Sequence, residues 1–433
     1  MIGLVVNPVA GVGGPAGLAG SDGADVQRLA ASRGAHSRAQ ERATIALRVL
    51  ASRHPSLVIG TAAGTMGADA VRAAGLEPWV VYDPGASSAP DRDESTGSPR
   101  REAVHSTPTG ALEQGATQAS DTAAAVAALA AAGATLILVA GGDGTLRDAA
   151  AGLAAPVRMS VESTDVGQNH PIPADIRDLD RHVCTRERPA VLGIPSGVKM
   201  YSPVFAVSPR AAGALAAEWV DGALPTSERE VLDVDEQAMR HARVEPVLYG
   251  MLSVPFRVGR TQSRKAATPA SEADAVVAAA RGVVKRMLPG TRYLLGPGST
   301  TTEVARQLGI RKSPLGVDVV LDGRQVLSSA SEEQLLAEVA LGPAQAVVTV
   351  IGGQGFLLGR GNQQLSASVI RALGDDPLVV VAPEQKLIDL HGRPLIVETG
   401  DAELDARLAG HIRIVTGPGT SSLYAVAAPD LAL

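Results

Sequence analysis

Apolar runs of four to six residues alternate with helix-patterned segments along the first 195 residues, and this alternation constrains the fold more than any other feature. A run such as Leu136-Ile137-Leu138-Val139-Ala140 has no polar face, so both of its sides must be covered. Short β-branched runs of this kind are the strands of a parallel sheet packed between helices. The spacing predicts strands at Ile2–Val6, Leu57–Gly60, Trp79–Tyr82, Leu136–Ala140 and Ala190–Ile194. Helices are predicted at Ala39–Ser52, Gly64–Ala74, Asp121–Ala132 and Thr145–Ala151. The expected fold class is α/β, with an N-terminal Rossmann-like parallel-sheet domain over residues 1–205 and a second mixed α/β domain over 206–433 that contains a β-hairpin region. Two stretches interrupt the first unit. Residues 83–119 are rich in Pro, Gly, Ser, Thr and charge and read as a mobile insert, and residues 158–187 read as a surface excursion.

In the second half, a helix is predicted at Pro209–Trp219 and paired β segments at Glu230–Asp235 and Pro246–Phe256. Further helices are predicted at Glu272–Met287, Thr302–Leu308, Glu332–Leu341 and Ser366–Leu373. Strands are predicted at Tyr293–Leu295, Val317–Leu321, Ala346–Ile351, Leu378–Ala382 and Ile412–Thr416.

Composition narrows the function classes. A formal net charge of -6, with both signs dispersed, leaves no basic stripe for a phosphodiester backbone, and 2% aromatic residues leave few platforms for stacking bases. Nucleic acid is therefore not expected as a partner. Cys184 is the only cysteine, which excludes an intrachain disulfide or a multi-thiolate metal site and points to a reducing cytoplasm. His170 and His182 near it fit no zinc spacing. The start at Met1-Ile2-Gly3 has no basic n-region, so secretion is not expected. The uncharged stretch from Thr122 to Gly142 breaks at Gly133 into a helix and a strand, so no membrane span is expected.

The chemistry concentrates where strands run into glycine. Gly141-Gly142-Asp143-Gly144-Thr145 follows a buried strand and opens a helix, where unpaired N–H groups and a partial positive charge suit a phosphate. A carboxylate beside a polyanion repels it unless the carboxylate binds magnesium or takes a proton from an attacking hydroxyl, and both point to phosphoryl transfer. The bland alternative is a glycine turn with Asp143 as N-cap. No Gly-Lys-Ser/Thr follows at P-loop spacing, and no Gly-x-Ser-x-Gly elbow marks a hydrolase.

Several stretches follow one another along the chain: Gly3–Pro8 with Ala10–Gly14, Gly17–Gly23, the Gly141–Thr145 loop, Gly193–Tyr201, Gly296–Thr301, Leu315–Asp318, Ile351–Gly355 and Gly359–Gln364. In these the chain resembles the ATP–NAD kinase superfamily, and within it the branch of ATP–NAD kinase or acetoin-catabolism X-like proteins. The resemblance covers most of the chain. It implies ATP or polyphosphate as phosphoryl donor, magnesium or another divalent cation, transfer to the ribose 2′-hydroxyl of NAD or NADH, Asp143 as general base and a homo-oligomer. Two departures stand out. The chain lacks the Asn-Glu pair with which the better-known NAD kinases hold the substrate adenosine, and its second half reads as more α/β than their β-rich domain.

The remaining candidates each carry two readings. Asn7 bonds a phosphate or ribose, or starts an ordinary Asn-Pro turn; Lys199 neutralises phosphate charge, or is a solvated surface group. Asp22 contacts substrate or forms an Asx turn. Gly296, Gly298, Ser299 and Thr300 hold a second phosphate or an adenylate, or form a capped Gly-Pro-Gly turn. Gly353, Gln354 and Gly355, with Asn362 and Gln363, read a base or ribose, or are solvated turns. Asp318 is a magnesium or ribose ligand, or a satisfied core carboxylate. A lipid kinase of the diacylglycerol or sphingosine type, and a protein that binds NAD or ATP without turnover, remain alternatives to an NAD kinase.

Overall fold

A computed structural model describes residues 1–18, 20–21, 23–85, 117–154, 188–222, 224–233, 246–257, 259–262 and 273–429. Asp22, residues 86–116 of the expected insert and all of the expected 158–187 excursion lie outside the described residues.

The first sheet contains β1 (Ile2–Val6), β2 (Val58–Ala62), β3 (Glu77–Tyr82), β4 (Leu136–Gly141) and β5 (Ala190–Pro195). Their order is β3-β2-β1-β4-β5 and every pairing is parallel. Strands β1, β4 and β5 are buried along their whole length, as continuous apolar runs require. The helices are α1 (Ala24–Ser32), α2 (Ala39–Arg53), α3 (Ala68–Ala73), α4 (Ala119–Ala131), α5 (Asp143–Ala154) and α6 (Pro209–Val220). Helix α2 packs against α6, and α4 against α5. Leu129 of α4 fills the space above Gly3 and Gly60, which a side chain at either position would take. The uncharged 122–142 stretch divides between α4 and β4, and among the described residues no helix is long and apolar enough to cross a membrane.

Strands β6 (Thr226–Asp233) and β7 (Val247–Pro255) form an antiparallel hairpin that packs on β5 and α5. Sequence patterning assigned this hairpin and α6 to the second half. Their apolar side chains instead enter the first core, through Ala211, Leu215, Val231, Leu252 and Val254. We therefore propose that the division between the halves falls after residue 262.

The second sheet contains β8 (Arg292–Leu295), β9 (Asp318–Leu321), β10 (Arg324–Leu327), β11 (Ala344–Thr349), β12 (Phe356–Leu358), β13 (Leu378–Val381), β14 (Leu395–Val397), β15 (Gly410–Val415) and β16 (Ser421–Ala427). Its order is β10-β9-β8-β11-β13-β15-β16-β14-β12, with β8, β11, β13 and β15 parallel and β9 and β16 antiparallel to their neighbours in that block. Helices α7 (Ala273–Val284), α8 (Ser299–Gln307), α9 (Glu332–Val339), α10 (Ala367–Ala372), α11 (Glu384–Ile388) and α12 (Ala402–Leu408) complete it. Alternate residues enter different cores: Tyr293, Leu295 and Val347 pack with α7 and α8, while Leu294, Ala346 and Val348 face the opposite layer. The mixed α/β class expected for this half is thus observed. Its own hairpin, β9–β10, turns at Asp322-Gly323 with both residues at positive φ, the geometry that favours this dipeptide.

Candidate functional site

In the first sheet the chain leaves β1 for β2 on one side and returns to β4 on the other. The carboxyl ends of β1 and β4 therefore meet at a switch point, where open α/β sheets form ligand crevices. Asn7 follows β1 and the glycine loop follows β4. The Asn7 amide joins them, donating to Thr145 Oγ1 at 3.1 Å while its carbonyl oxygen accepts from the Val9 N–H at 3.2 Å.

The loop glycines have different reasons to be there. A Cβ at Gly141 would meet Thr145 Oγ1 at 2.3 Å, and one at Gly142 would meet the Lys199 carbonyl oxygen at 2.9 Å. The segment after β5 presses equally closely from its side, because a Cβ at Gly197 would lie 2.3 Å from the Gly142 Cα. Backbone contact alone accounts for these positions. Gly144 differs: nothing lies closer than 3.8 Å to its Cβ position, and the atoms at that distance are Arg147 Nη2 and Asp233 Oδ2. Gly197→Ala is expected to cost about 1–3 kcal/mol, because backbone must yield to admit the methyl group. Urea denaturation of the variant measures it, and unchanged stability would contradict the close approach.

Asp143 is the first residue of α5 and only 1% exposed. Its carboxylate accepts from the Tyr201 N–H, from the Ser202 N–H at 3.0 Å and from Ser202 Oγ at 2.6 Å, while its own N–H donates to the Lys199 carbonyl at 3.1 Å. It binds a neighbouring loop, which differs from the N-cap role open to it in the sequence. Burial raises its pKa to about 6, against the opposing pull of the Ser202 and Tyr201 hydrogen bonds. Ser202 is itself fixed by β6, accepting from the Leu232 N–H at 3.0 Å. Arg147 bonds Asp233 at 2.9 Å and Asp148 at 3.2 Å. Asp143, Asp148 and Asp233 are thus all engaged, and the residues do not fit a resident metal ion here. Among the described residues no group of three or more His, Cys, Asp or Glu could hold one.

The second half clamps the 197–200 segment. Gln354 Nε2 donates to the Met200 carbonyl at 2.9 Å, and Gln363 Nε2 to the Gly197 carbonyl at 3.0 Å. Between the halves lies a cavity of about 510 Å³ lined by Arg38, Arg42, Gly197, Gln363, Arg371 and Glu398, among others. Gln363 Oε1 is buried there with no hydrogen-bond partner among the described residues. The Gly141–Thr145 loop does not line this cavity; Gly197, packed on Gly142, does.

Other candidates stand apart from the first site. Asp318 is fully buried and accepts from the Ser313 hydroxyl, the Ser313 N–H at 2.8 Å, Gln325 Nε2 at 3.0 Å and the Ser329 N–H at 2.9 Å. That saturation corrects the substrate-contact reading to a core carboxylate. Asn362 is buried and bonds its own turn with both ends of its amide, donating to Leu357 O at 2.8 Å and accepting from the Gly359 N–H at 3.0 Å, so it shapes the turn. Gly353 and Gly355, at φ 76° and 79°, form the turn between β11 and β12. Lys199 is half-buried, and its charge lowers the pKa of the neighbouring Tyr201 hydroxyl, which burial and Asp143 raise to about 12. Gly296, Gly298, Ser299 and Thr300 lie at the carboxyl end of β8, in the second sheet. Sequence reasoning missed Arg147, Ser202 and Asp233, whose roles depend on contacts between distant segments.

Residues 2–158 match the ATP-NAD kinase N-terminal domain, and residues 288–426 match the ATP-NAD kinase C-terminal domain. The chain belongs to the ATP-NAD kinase superfamily. Membership makes it a kinase-type phosphotransferase with nucleotide ligands. The acetoin-catabolism X-like branch rests on resemblance alone. No curated protein and no solved structure matches the chain. The matched N-terminal domain contains β1, β4 and the glycine loop, whereas the Lys199–Ser202 segment and Asp233 that close the site lie beyond the matched residues.

Proposed function

We propose that the chain transfers the terminal phosphate of ATP or polyphosphate to the ribose 2′-hydroxyl of NAD or NADH, with Asp143 as general base. The observation that carries this reading is Gly144. It lies at the start of α5, at the switch point, and packing gives no reason for its missing side chain. A phosphate approaching there meets first-turn N–H groups and the Arg147 guanidinium, which is paired with Asp233, whose carboxylate oxygen lies equally near. Gln363 lines the cavity, and its buried carbonyl oxygen, without a hydrogen-bond partner among the described residues, suits a nucleotide amide or hydroxyl.

A carboxylate offers about four lone-pair sites, and the three hydrogen bonds from Tyr201 and Ser202 leave about one for a substrate hydroxyl. Because Asp143 is 1% exposed, the acceptor reaches it only when the Lys199–Ser202 segment yields. Proton removal at this atom is worth about 10²- to 10⁴-fold. Magnesium would enter as part of the nucleotide substrate, where it would neutralise phosphate charge without a protein carboxylate among the described residues to hold it.

Two expected outcomes follow from these residues. Gly144→Ala keeps or raises stability by up to about 1 kcal/mol, as alanine does in a helix, yet loses kinase activity because its methyl occupies the phosphate approach. Denaturation and turnover measured on one preparation test this, and full activity would remove the phosphate from this loop. A base acts when ionised, so kcat/KM is expected to fall with decreasing pH below about 6, where Asp143 takes up a proton, and to be level above it. A pH-rate profile checks it. The acceptor is tested with magnesium and ATP or polyphosphate against NAD, NADH, nucleosides and acyl lipids. Product from lipid alone would overturn the NAD assignment.

A further inference from the structure

We propose that the second sheet carries a phosphate-monoester site of its own, at the start of α8, independent of the kinase site. Strands β8 and β11 are parallel neighbours, and the Gly296-Pro297-Gly298 loop leads from the carboxyl end of β8 into this nine-residue helix. Helix α8 has Gly298 as its N-cap, so no side chain bonds the first-turn N–H groups from that position. Gly298 has φ 129°, and a Cβ there would lie 2.5 Å from Thr349 Cγ2, so the glycine keeps the helix entrance close against the end of β11.

Four threonines surround this entrance and divide into two kinds. Thr301 Oγ1 donates to the Gly296 carbonyl at 2.6 Å and Thr302 Oγ1 to the Gly298 carbonyl at 2.9 Å, holding the loop in shape. Thr300 is fully buried and Thr349 is 8% exposed, yet the Oγ1 atoms of both are buried with no hydrogen-bond partner among the described residues. A buried hydroxyl left without a partner costs about 1–3 kcal/mol, so two of them beside one helix end need a reason. A phosphate monoester supplies it, because its three terminal oxygens can accept from both hydroxyls and from the first-turn N–H groups, and the helix end favours its charge. The ester carrier is a nucleotide or a sugar. Gly296 stands 3.9 Å, measured from its Cβ position, from Leu365, which lines the cavity between the halves.

The test is calorimetric titration of the full chain with inorganic phosphate, AMP and ribose 5-phosphate, without phosphoryl donor or NAD. It is run on the Gly144→Ala chain so that the first loop does not contribute. Saturable binding of at least one probe is expected, weakened at least about tenfold in Thr300→Val/Thr349→Val and retained in Thr300→Ser/Thr349→Ser, which keeps both hydroxyls. Preference for AMP or for ribose 5-phosphate identifies the carrier. The valine variant should melt no lower than its parent, since each substitution removes a buried hydroxyl that has no partner. Absence of binding by all three probes, or undiminished binding in the valine variant, overturns the proposal. Neither result depends on whether NAD is the kinase acceptor.

Discussion

Replacing Asp143 with Asn is expected to lower turnover by about a hundred- to ten-thousandfold, with nucleotide binding largely kept. The substitution preserves shape and removes the proton acceptor. It has a second effect that must be measured beside the first. The asparagine amide would place its NH₂ against a backbone N–H of Tyr201 or Ser202, donor against donor in a buried site, at a cost of about 1–3 kcal/mol. Turnover is therefore to be compared at equal folded protein, fixed by circular dichroism. The stability effect also depends on pH. The native pKa is raised from 3.8 to about 6, so the protonated form is favoured by folding; this contribution is fully present below about pH 4 and is lost as pH rises through about 6. Catalysis and stability thus respond to the same group with opposite sign: activity needs the ionised carboxylate, and burial favours the neutral one. A variant with wild-type turnover would remove Asp143 from the chemistry and leave it as a strut for the 199–202 segment.

Glu398→Gln is expected to lower the unfolding free energy by about 3–5 kcal/mol, the usual cost of breaking a buried ion pair from one side. Glu398 Oε2 lies 2.7 Å from Arg42 Nη2 and 2.9 Å from Arg360 Nη1, and both its own side chain and that of Arg360 are almost wholly buried. Arg360 stacks 4.2 Å from the centroid of the Phe356 ring and donates to the Val207 carbonyl at 2.9 Å. Burial pulls its pKa down to about 10 despite Glu398, which still leaves it charged at neutral pH, so it cannot escape by losing a proton. Arg42 belongs to α2 of the first core and Glu398 to the second half, so the pair also ties the halves together across the cavity they share. Urea denaturation measures the loss. A change below about 1 kcal/mol would show that the pair contributes no more than an exposed one.

Much of the scaffold was legible in the sequence because it is built from long apolar runs. The five strands of the first sheet agree with the pattern to within two residues at each end; β1, β4 and β5 are buried throughout and leave an unbroken apolar signal, and the partly exposed edge strand β3 still carries the apolar run Trp79–Val81. The second sheet was read less completely. Phe356–Leu358 and Leu395–Val397 are three residues each, too short for a period to show, and Arg324–Leu327 is an exposed edge with mixed polarity. Helix α1 follows a glycine-rich stretch and has no side-chain N-cap, so it carried no start signal.

The site divides in the same way. The glycine loop and Asn7 stand at the ends of strands and could be found locally. Ser202 is 59 residues from the carboxylate it holds, and Arg42 is 356 residues from Glu398, separations that no spacing rule reaches. Asp318 had two readings of equal standing until its four hydrogen bonds decided between them. Gly142 reads from sequence as a phosphate-loop or turn glycine, whereas the structure shows it and Gly197 each making room for the other.

The most direct measurement is formation of NADP from NAD by the purified chain with magnesium and ATP or polyphosphate, read through an NADP-specific dehydrogenase. NADP is expected from the wild-type chain, and about a hundredfold less or lower still from Asp143→Asn at equal folded protein. NADP formed equally fast by the variant, or no NADP from the wild-type chain with either donor, would contradict the assignment.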